Sequence, residues 1–315
     1  MNFEPLFFNP IFMDRIWGGT ELRSFGYDIP TETTGECWAF SAHPNGQSVV
    51  KNGQFAGKTL GELWENNREL FGNAEGDRFP LLTKILDANQ DLSVQVHPND
   101  EYAKVHENGE LGKTECWYIV DCKEGAEIIF GHHAQTKEEL ASMITENKWT
   151  ELLNKVPVKK GDFFFVPSGT IHAIGEGIII LETQQNSDTT YRVYDYDRKD
   201  ANGNTRELHV EQSVAVTTVP HKADEYDVKV KTNGDLTATT FIECPYFSVE
   251  KWELQGSSIN NQTKPFLLCS VIEGEGSIKK DSAVYPFKKG DHFLLPSDFG
   301  SFELEGSSEL IVSYL

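Results

Sequence analysis

The sequence predicts a mainly β protein built from two similar β-barrels or sandwiches with a few added helices. Short runs rich in Val, Ile, Phe and Tyr recur along the 315 residues and end at Gly, Asn or Asp turns. Helical spacing is confined to a few segments. The chain also repeats one phrase, as VPVKKGDFFFVPSGTIHAI from Val156 and YPFKKGDHFLLPSDFGSFEL from Tyr285. A repeated strand–turn–strand phrase indicates two copies of one β unit.

The individual elements follow from local patterns. SVVKNG, EIIFG, VKVKTNGDLTATTF and VIEGEGSIKK have the composition of strands that end in turns. Helical segments are expected around residues 57–72, where Gly72 stops the pattern, and around residues 136–155. In the second segment Thr136 is placed to cap, with Glu139 completing a capping box, and two short helices are expected. NDEYAKVHENG predicts one further short helix.

Composition limits the class of function. The formal net charge is −21, from 28 basic and 49 acidic residues, which disfavours binding to nucleic acid or anionic membranes. Mean hydropathy is −0.43, and no apolar run approaches the roughly 20 residues of a membrane span. The first residues lack the basic region of a signal peptide. With five scattered cysteines and no C-x-x-C, this predicts a cytoplasmic protein with free thiols.

The first copy of the repeated phrase carries the pattern G-x5-P-x-G-x-x-H, from Gly161 through Pro167 and Gly169 to His172. The first glycine makes the hairpin, the proline ends the strand, and Gly169 permits the bend that turns the histidine inward. This pattern resembles the second signature of the cupin superfamily, whose small jelly-roll-like barrels hold a metal ion. The second copy keeps Gly290 but has Ser301 in place of the histidine.

The repeat divides the chain into two expected domains. Residues 1–220 would form a catalytic, metal-binding cupin domain that includes the helical segments around 57–72 and 136–155. Residues 221–315 would form a C-terminal cupin-like domain without a metal site. The boundary falls in the polar segment 218–228.

Partners for the histidine are expected upstream, in LSVQVHPND. Alternate side chains of a strand share a face, so Ser93, Gln95 and His97 should point into the barrel. The intervening apolar side chains should then pack outward; they are Leu92, Val94 and Val96. In GKTECWYIV the same alternation places Lys113, Glu115 and Trp117 on one face.

Four of these side chains can surround one divalent ion: Gln95, His97, Glu115 and His172. Cupins usually supply two histidines and a glutamate from this region, and here Gln95 stands at the first histidine. Taken singly, a histidine after a proline turn is more often structural, but the combined spacing favours a metal site. Two imidazoles, a carboxylate and an amide oxygen suit Zn²⁺, with Fe, Co or Mn as alternatives.

The segment TQQNSDTTYRVYDYDR follows a buried apolar strand. In an extended segment Asp188, Thr190 and Arg192 share a face. The fork of donors on Arg192 could bind an anionic substrate group or a developing oxyanion. A salt-bridged strand at the barrel rim is the structural alternative.

Five stretches together resemble type I phosphomannose isomerases in their short bacterial form: RIWGG, LSVQVHP, GKTECWY, VPSGTIHAIGEG and TQQNSDTTYRVYDYDR. The resemblance covers most of residues 1–210. It implies an aldose–ketose isomerase of mannose metabolism that interconverts mannose 6-phosphate and fructose 6-phosphate. The proton would move between C2 and C1 through a cis-enediol. The expected partner is therefore a small sugar phosphate, and the expected state is a monomer or a weak homo-oligomer.

The resemblance also implies roles for individual residues. One zinc ion per chain would be held by Gln95, His97, Glu115 and His172. Arg192 would be the essential arginine, with Asp188 four residues before it, and Lys113 would be the active-site lysine. Trp17 would line the sugar pocket, and Ser93 and Lys113 would join Arg192 in binding substrate. Longer members have His-Lys-Pro-Glu where this chain has Gly-Lys-Thr-Glu, so a histidine partner of the lysine is absent. The proton-transfer base stays open among Lys113, Asp188 and a zinc-bound water.

Two other functions fit a metal cupin. An iron-dependent dioxygenase usually has three histidines and an acid, which disfavours it here because of Gln95. A non-catalytic cupin that binds a sugar phosphate would tolerate the loss of Glu115.

Overall fold

Strands dominate the computed structural model, which describes residues 4–199, 202–223 and 226–315, and helices are few. The predicted mainly β, two-barrel fold with a few helices is confirmed. The strands of the first two-thirds of the chain are β1 (Leu6–Asn9), β2 (Ile11–Gly19), β3 (Thr34–Phe40), β4 (Ala42–His43), β5 (Gly46–Gln47), β6 (Val49–Val50), β7 (Leu81–Ala88), β8 (Val94–Val96), β9 (Glu115–Cys122), β10 (Glu127–His132), β11 (Leu153–Pro157), β12 (Phe163–Val166), β13 (His172–Ala173), β14 (Ile178–Gln185) and β15 (Tyr191–Tyr194).

The remaining strands form the C-terminal barrel: β16 (Lys229–Asn233), β17 (Leu236–Glu243), β18 (Ser248–Gln262), β19 (Leu267–Lys280), β20 (Ala283–Lys288), β21 (His292–Leu295) and β22 (Gly300–Tyr314). The α-helices are α1 (Leu60–Asn66), α2 (Asp100–His106), α3 (Lys137–Thr145), α4 (Trp149–Leu152) and α5 (Val210–Val216), and 3-10 turns occupy Glu21–Phe25, Gly53–Phe55 and Arg68–Phe71. No helix among the described residues is long and apolar enough to cross a membrane.

The helices begin and end close to the residues that the sequence predicts. Thr59 and Glu62 form a complete capping box at α1, and Gly72 ends the following 3-10 turn in the left-handed conformation. At α3 the Thr136 side chain accepts the N–H of Glu139, as expected. The Glu139 carboxylate, however, accepts the N–H of Gln135, so the predicted capping box is only half formed.

Two sheets enclose the first barrel. One has the strand order β11-β10-β13-β8-β15, and the other has the order β12-β9-β14-β7-β3-β2. An apolar core that includes Trp117 and Ile180 fills part of the space between them. Helices α3 and α5 cover the outer face of the five-stranded sheet, where Val94 and Val96 are buried.

The C-terminal barrel packs on the outer face of the six-stranded sheet. Cys116 and Tyr118, which alternate with the inward-facing Glu115 and Trp117, belong to the core shared with the C-terminal strands. The predicted alternation along GKTECWYIV is therefore confirmed. The C-terminal sheet has the order β16-β17-β18-β22-β19-β21-β1-β6, with β20 paired to β19.

The N-terminal strand crosses between the two parts of the chain. Leu6–Asn9 pairs antiparallel with β21, and Val49–Val50 pairs with Leu6–Asn9 at the edge of the same sheet. The predicted boundary in segment 218–228 stays a prediction, and residues 224 and 225 of that segment lie outside the described residues. The first strands thus contribute to the sheet of the C-terminal barrel.

Candidate active site

A polar cavity of about 330 Å³ opens between the two sheets of the first barrel. The five-stranded sheet contributes β8 and β15, and the six-stranded sheet contributes β2, β3, β7 and β14. The side chains that line the cavity are Arg15, Trp17, Glu36, Lys84, Leu86, Leu92, Ser93, Gln95, Lys113, Ile174, Glu182, Asp188, Thr190, Arg192 and Arg206. Because the two sheets approach from opposite sides, residues that are distant in sequence meet here.

Three potential metal ligands converge at the bottom of this site. His97 follows β8, Glu115 begins β9 and His172 begins β13, and all three side chains are buried. The Nε2 atoms of His97 and His172 lie 3.5 and 3.3 Å from the Glu115 carboxylate oxygens. Among the described residues this is the single group of three or more His, Cys, Asp or Glu side chains close enough to share an ion.

Backbone carbonyls fix the orientation of both imidazole rings. The Nδ1 atom of His97 lies 2.9 Å from the carbonyl oxygen of Thr189, and that of His172 lies 2.8 Å from the carbonyl oxygen of Thr170. A carbonyl oxygen only accepts, so each Nδ1 carries the proton and each Nε2 is left with its lone pair. This arrangement is typical of metal-binding histidines.

Two atoms of the cluster are buried without any hydrogen-bond partner, the Nε2 of His172 and the Oε1 of Glu115. Unpartnered buried polar atoms are costly, and here they face one another across a gap in which a cation would satisfy both. Burial, followed by the charge of Lys113, lowers the pKa of His172 to about 3 and that of His97 well below its ordinary value. Both rings are therefore neutral, which is the form that binds metal. The residues fit a divalent ion.

Gln95 lies beside this cluster. It is directly opposite His172 in the antiparallel pairing of β8 with β13, so the two side chains share a face of the sheet. It is half-buried and lines the cavity. The structure therefore brings all four predicted ligands to one place, with three in mutual reach and Gln95 on their open side.

Lys113 reaches into the same cluster. Its ammonium donates to a Glu115 oxygen and lies 3.0 Å from the Nε2 of His97. Burial opposes the charge, but the nearby carboxylates of Glu115, Glu182 and Asp188 outweigh it and raise the pKa of Lys113. The lysine is thus a buried cation beside the three potential ligands.

Asp188, Thr190 and Arg192 line the cavity together, as the expected alternation requires. Arg192 is half-buried: one terminal nitrogen donates to the carbonyl of Glu207 at 2.9 Å, and its Nε has no partner. Burial, then the charge of Arg206, lowers the pKa of Arg192. Asp188 is exposed at the solvent side, where it accepts a hydrogen bond from Asn45 at 2.9 Å.

The two remaining predicted residues, Trp17 and Ser93, are buried and line the cavity. The expected outward position of Leu92 is wrong: Leu92 lines the cavity and packs in the inner core. Strand β8 begins only at Val94, so the alternation that holds for Val94 and Val96 does not extend back to Leu92.

Sequence reasoning missed a pair of charged residues in the middle of the six-stranded sheet. Lys84 and Glu182 are directly opposite one another on β7 and β14, both buried, with nitrogen and oxygen 3.5 Å apart. The indole of Trp117 donates to the second oxygen of Glu182 at 3.1 Å. Burial, reinforced by the charge of Glu115, raises the pKa of Glu182. A charged residue flanked by apolar ones in each of the strands LLTKILDA and IIILETQQ was the available signal.

Two further ion pairs line the cavity and were also missed. Arg15 holds Glu36 with two bonds of 3.0 Å, and Arg206 holds Asp195 with bonds of 2.7 and 2.6 Å. Burial opposes the charge of Glu36, but Lys84 and Arg15 outweigh it and lower its pKa. These arginines give a strongly acidic chain a locally basic cavity.

The second barrel has no equivalent cluster. Ser301, the counterpart of His172 in the repeated phrase, is exposed on β22, opposite Asn261.

The chain is similar to known proteins over its whole length. Residues 6–119 match the family model of the type I phosphomannose isomerase catalytic domain, and residues 237–315 match the mannose-6-phosphate isomerase cupin domain. The chain is 66% identical to the mannose-6-phosphate isomerase ManA of Bacillus subtilis over the full length of both. It is 56% identical to the mannose-6-phosphate isomerase of Streptococcus mutans, with 99% of this chain and 98% of the relative covered.

Solved structures give the same result. A crystal structure of the mannose 6-phosphate isomerase from Bacillus subtilis superposes with a TM-score of 0.98 at 55% identity, covering 99% of this chain and 100% of the other. A phosphomannose isomerase mutant from Salmonella typhimurium shares the fold at 18% identity and a TM-score of 0.82, covering 98% and 99%. With full-length identity at this level, the chain belongs to the type I mannose-6-phosphate isomerase family.

Proposed function

We propose that this chain is a zinc-dependent mannose-6-phosphate isomerase, which interconverts mannose 6-phosphate and fructose 6-phosphate through a cis-enediol. The observation that carries the proposal is a cluster of three potential ligands that adjoins a cavity lined by Gln95 together with a lysine, an arginine and an exposed carboxylate. An aldose–ketose isomerisation needs these parts, because a proton must leave a carbon next to a carbonyl while negative charge builds on oxygen.

Gln95, His97, Glu115 and His172 are the proposed zinc ligands, with one ion per chain. The unpartnered Nε2 of His172 and Oε1 of Glu115 support a cation between them. Two neutral imidazoles and a carboxylate form a set typical of Zn²⁺ sites that keep an open position. When bound, zinc would supply Lewis-acid stabilisation of negative charge on the substrate oxygens.

Cationic side chains would stabilise the same charge and bind the substrate. Lys113 is buried beside the ligands, where its ammonium can donate to a substrate oxygen near C1 or C2. Arg192 has an unpartnered Nε and no carboxylate bound to it among the described residues, so it has donors available for a substrate oxyanion or phosphate. Trp17 and Ser93 would complete the wall against which the sugar lies.

Asp188 and Lys113 are the proposed groups that move the proton between C2 and C1. Asp188 holds its carboxylate at the solvent side of the cavity, while Lys113 is enclosed. A carboxylate can take a proton from carbon, and an ammonium can offer one to oxygen. The two groups approach the cavity from different segments, the loop between β14 and β15 and the residues just before β9, so they can act on different atoms of one substrate.

Roles for the two domains, the cellular compartment and the assembly state are part of the proposed function. We assign the catalytic role to residues 1–220 and a structural, metal-free role to residues 221–315. The five free cysteines and the acidic composition support a cytoplasmic protein that acts on a small sugar phosphate. A monomer or weak homo-oligomer is proposed for its assembly.

A coupled assay on mannose 6-phosphate, run with zinc-loaded protein and after removal of zinc by a chelator, tests the proposal. We expect turnover that is lost with zinc and restored by its return. A zinc-loaded protein without turnover would refute the proposed activity. Measured beside zinc content, Arg192→Ala should lose turnover and keep its zinc, and a fully active Arg192→Ala would remove the role assigned to Arg192.

A further inference from the structure

A short hairpin reaches over the solvent side of the cavity. It consists of β4 and β5, Ala42–His43 and Gly46–Gln47, which pair only with each other. At its tip Asn45 donates from Nδ2 to the Oδ2 of Asp188, over a distance of 2.9 Å and a sequence separation of 143 residues. Both side chains are exposed.

The hairpin is held firmly by its own side chains. The hydroxyl of Ser41 donates to the carbonyl of Gly46 at 2.5 Å and accepts the N–H of His43 at 3.2 Å. The ring of His43 is buried against the edge of Trp38, and its Nδ1 accepts the N–H of Asn45 at 3.2 Å. Because the backbone of Asn45 is fixed in this way, only the side-chain torsions of Asn45 are left to be ordered when its amide bonds Asp188.

The segment that Asn45 contacts has two functions in the site. Asp188 lines the cavity, and the next residue, Thr189, uses its carbonyl oxygen to orient the imidazole of His97. An exposed aspartate on a loop between two strands would otherwise sample several rotamers. A fixed donor on the opposite side restricts the carboxylate to one direction.

We propose that Asn45 is a positioning residue, which holds the Asp188 carboxylate in its productive orientation at the open side of the cavity. The proposal rests on the proposed function, in which Asp188 takes part in proton transfer. Asn45 does not itself line the cavity, so its effect is transmitted through Asp188.

The contact between Asn45 and Asp188 predicts that loss of the Asn45 amide changes kcat more than KM. Loss of the amide leaves the Asp188 carboxylate present but poorly directed, which affects the proton-transfer step more than substrate binding. Asn45→Ala should therefore lower kcat by about three- to tenfold and change KM by less than about twofold, with full zinc content. Asn45→Asp should lower kcat further, because two carboxylates would then face each other at the same distance.

A double-mutant cycle with Asp188→Ala separates positioning from a general effect on the fold. In the Asp188→Ala protein the substitution Asn45→Ala should change kcat by less than about 1.5-fold, because the group that it positions is gone. The matched control is Asn66→Ala, an exposed asparagine on α1 whose amide bonds the carbonyl of Glu62 and which does not line the cavity. It should leave kcat, KM and zinc content unchanged.

The outcomes distinguish the inference from the proposed function. If Asp188→Ala lowers kcat strongly but measurably while Asn45→Ala keeps full kcat, the inference on Asn45 is wrong and the role of Asp188 stands. Equal, independent losses from Asn45→Ala in both backgrounds would also overturn it. If Asp188→Ala itself turns over normally, the role of Asp188 in the proposed mechanism falls and the inference falls with it.

Discussion

The two copies of the repeated phrase adopt the same local structure in very different surroundings. In each copy a glycine with positive φ, Gly161 at +91° and Gly290 at +87°, makes the hairpin that leads into a four-residue strand. Both strands end at a proline, and the residues after it differ most in chemistry. His172 in the first copy turns into a cluster of charged side chains, whereas Ser301 in the second lies exposed. The hairpin and strand thus determine the barrel, and the residues after the proline determine whether that barrel has a site.

A second comparison concerns two buried histidines, one in each barrel. Burial, above all other causes, lowers the pKa of both His172 and His292 to about 3. Both ring nitrogens of His292 have partners, the hydroxyls of Tyr27 at 2.7 Å and Ser270 at 2.9 Å. The Nε2 of His172 has none. Burial alone therefore does not mark a metal ligand; an unused nitrogen that faces a carboxylate does.

The largest expected effect comes from removing His172. His172→Ala deletes one of the proposed ligands, so zinc content should fall and turnover should drop by about a thousandfold or more. Ser301→Ala, at the same place in the second copy, should leave both unchanged. Zinc content measured by atomic absorption, beside the coupled isomerase assay, checks both variants.

A loss of turnover in Ser301→Ala would show that the second barrel takes part in the reaction. His172→Gln serves as the control for size, since it keeps a polar side chain of similar length at a buried position. Retention of zinc and activity in both His172 variants would remove His172 from the site.

Strand alternation predicted the faces of Gln95, His97 and Glu115, because side chains two residues apart share a face whatever the tertiary fold. It failed at Leu92, which precedes the regular part of β8. Lys84 and Glu182 were missed because their pairing depends on the register between β7 and β14, which the sequence of either strand does not give. The contact between Asn45 and Asp188 spans 143 residues and follows only from the folded chain.

The second-largest expected effect is on the pH dependence of stability, and it comes from His292 in the second barrel. The pKa of His292 is about 3 in the folded protein, below the ordinary value of 6.5 that applies once the chain unfolds. The unfolded state therefore binds a proton that the folded state does not, and stability is lost as the pH falls from about 6.5 towards 3. Between pH 7 and pH 4 this one group should cost about 3 kcal/mol of unfolding free energy.

Urea unfolding of the His292→Gln variant at both pH values measures this contribution. Between pH 7 and pH 4 the free energy of unfolding should fall by about 3 kcal/mol less in the variant than in the unchanged protein. The contributions of His97 and His172 are the same in both proteins and cancel in this comparison. His106→Gln, on the exposed side of α2, is the matched control and should lose as much stability as the unchanged protein. An identical loss in His292→Gln would mean that this imidazole is not kept neutral by the fold.

The smallest expected effect is a difference in stability between substitutions at Gly169 and at Asp298, the bends that follow the two prolines. Gly169 has a φ of +86°, and its counterpart Asp298 keeps the left-handed conformation with a φ of +56°. A Cβ on Gly169 would lie 2.6 Å from the hydroxyl of Thr218 and 3.0 Å from the carbonyl of Val216, at the end of α5. Asp298 is exposed, and aspartate is among the residues that tolerate this conformation.

Gly169→Ala should therefore destabilise the protein by about 2 kcal/mol, from the left-handed backbone and the crowding together. Asp298→Gly should change the unfolding free energy by less than about 1 kcal/mol, because relief of backbone strain is offset by the greater freedom of glycine in the unfolded chain. Urea unfolding of both variants tests this difference. A cost of about 1 kcal/mol or less at Gly169, which the left-handed backbone alone explains, would mean that the crowding by α5 does not matter. A cost clearly above that value would mean that the bend which aims the histidine is also fixed by the packing of the first barrel, since Thr218 and Val216 lie against it.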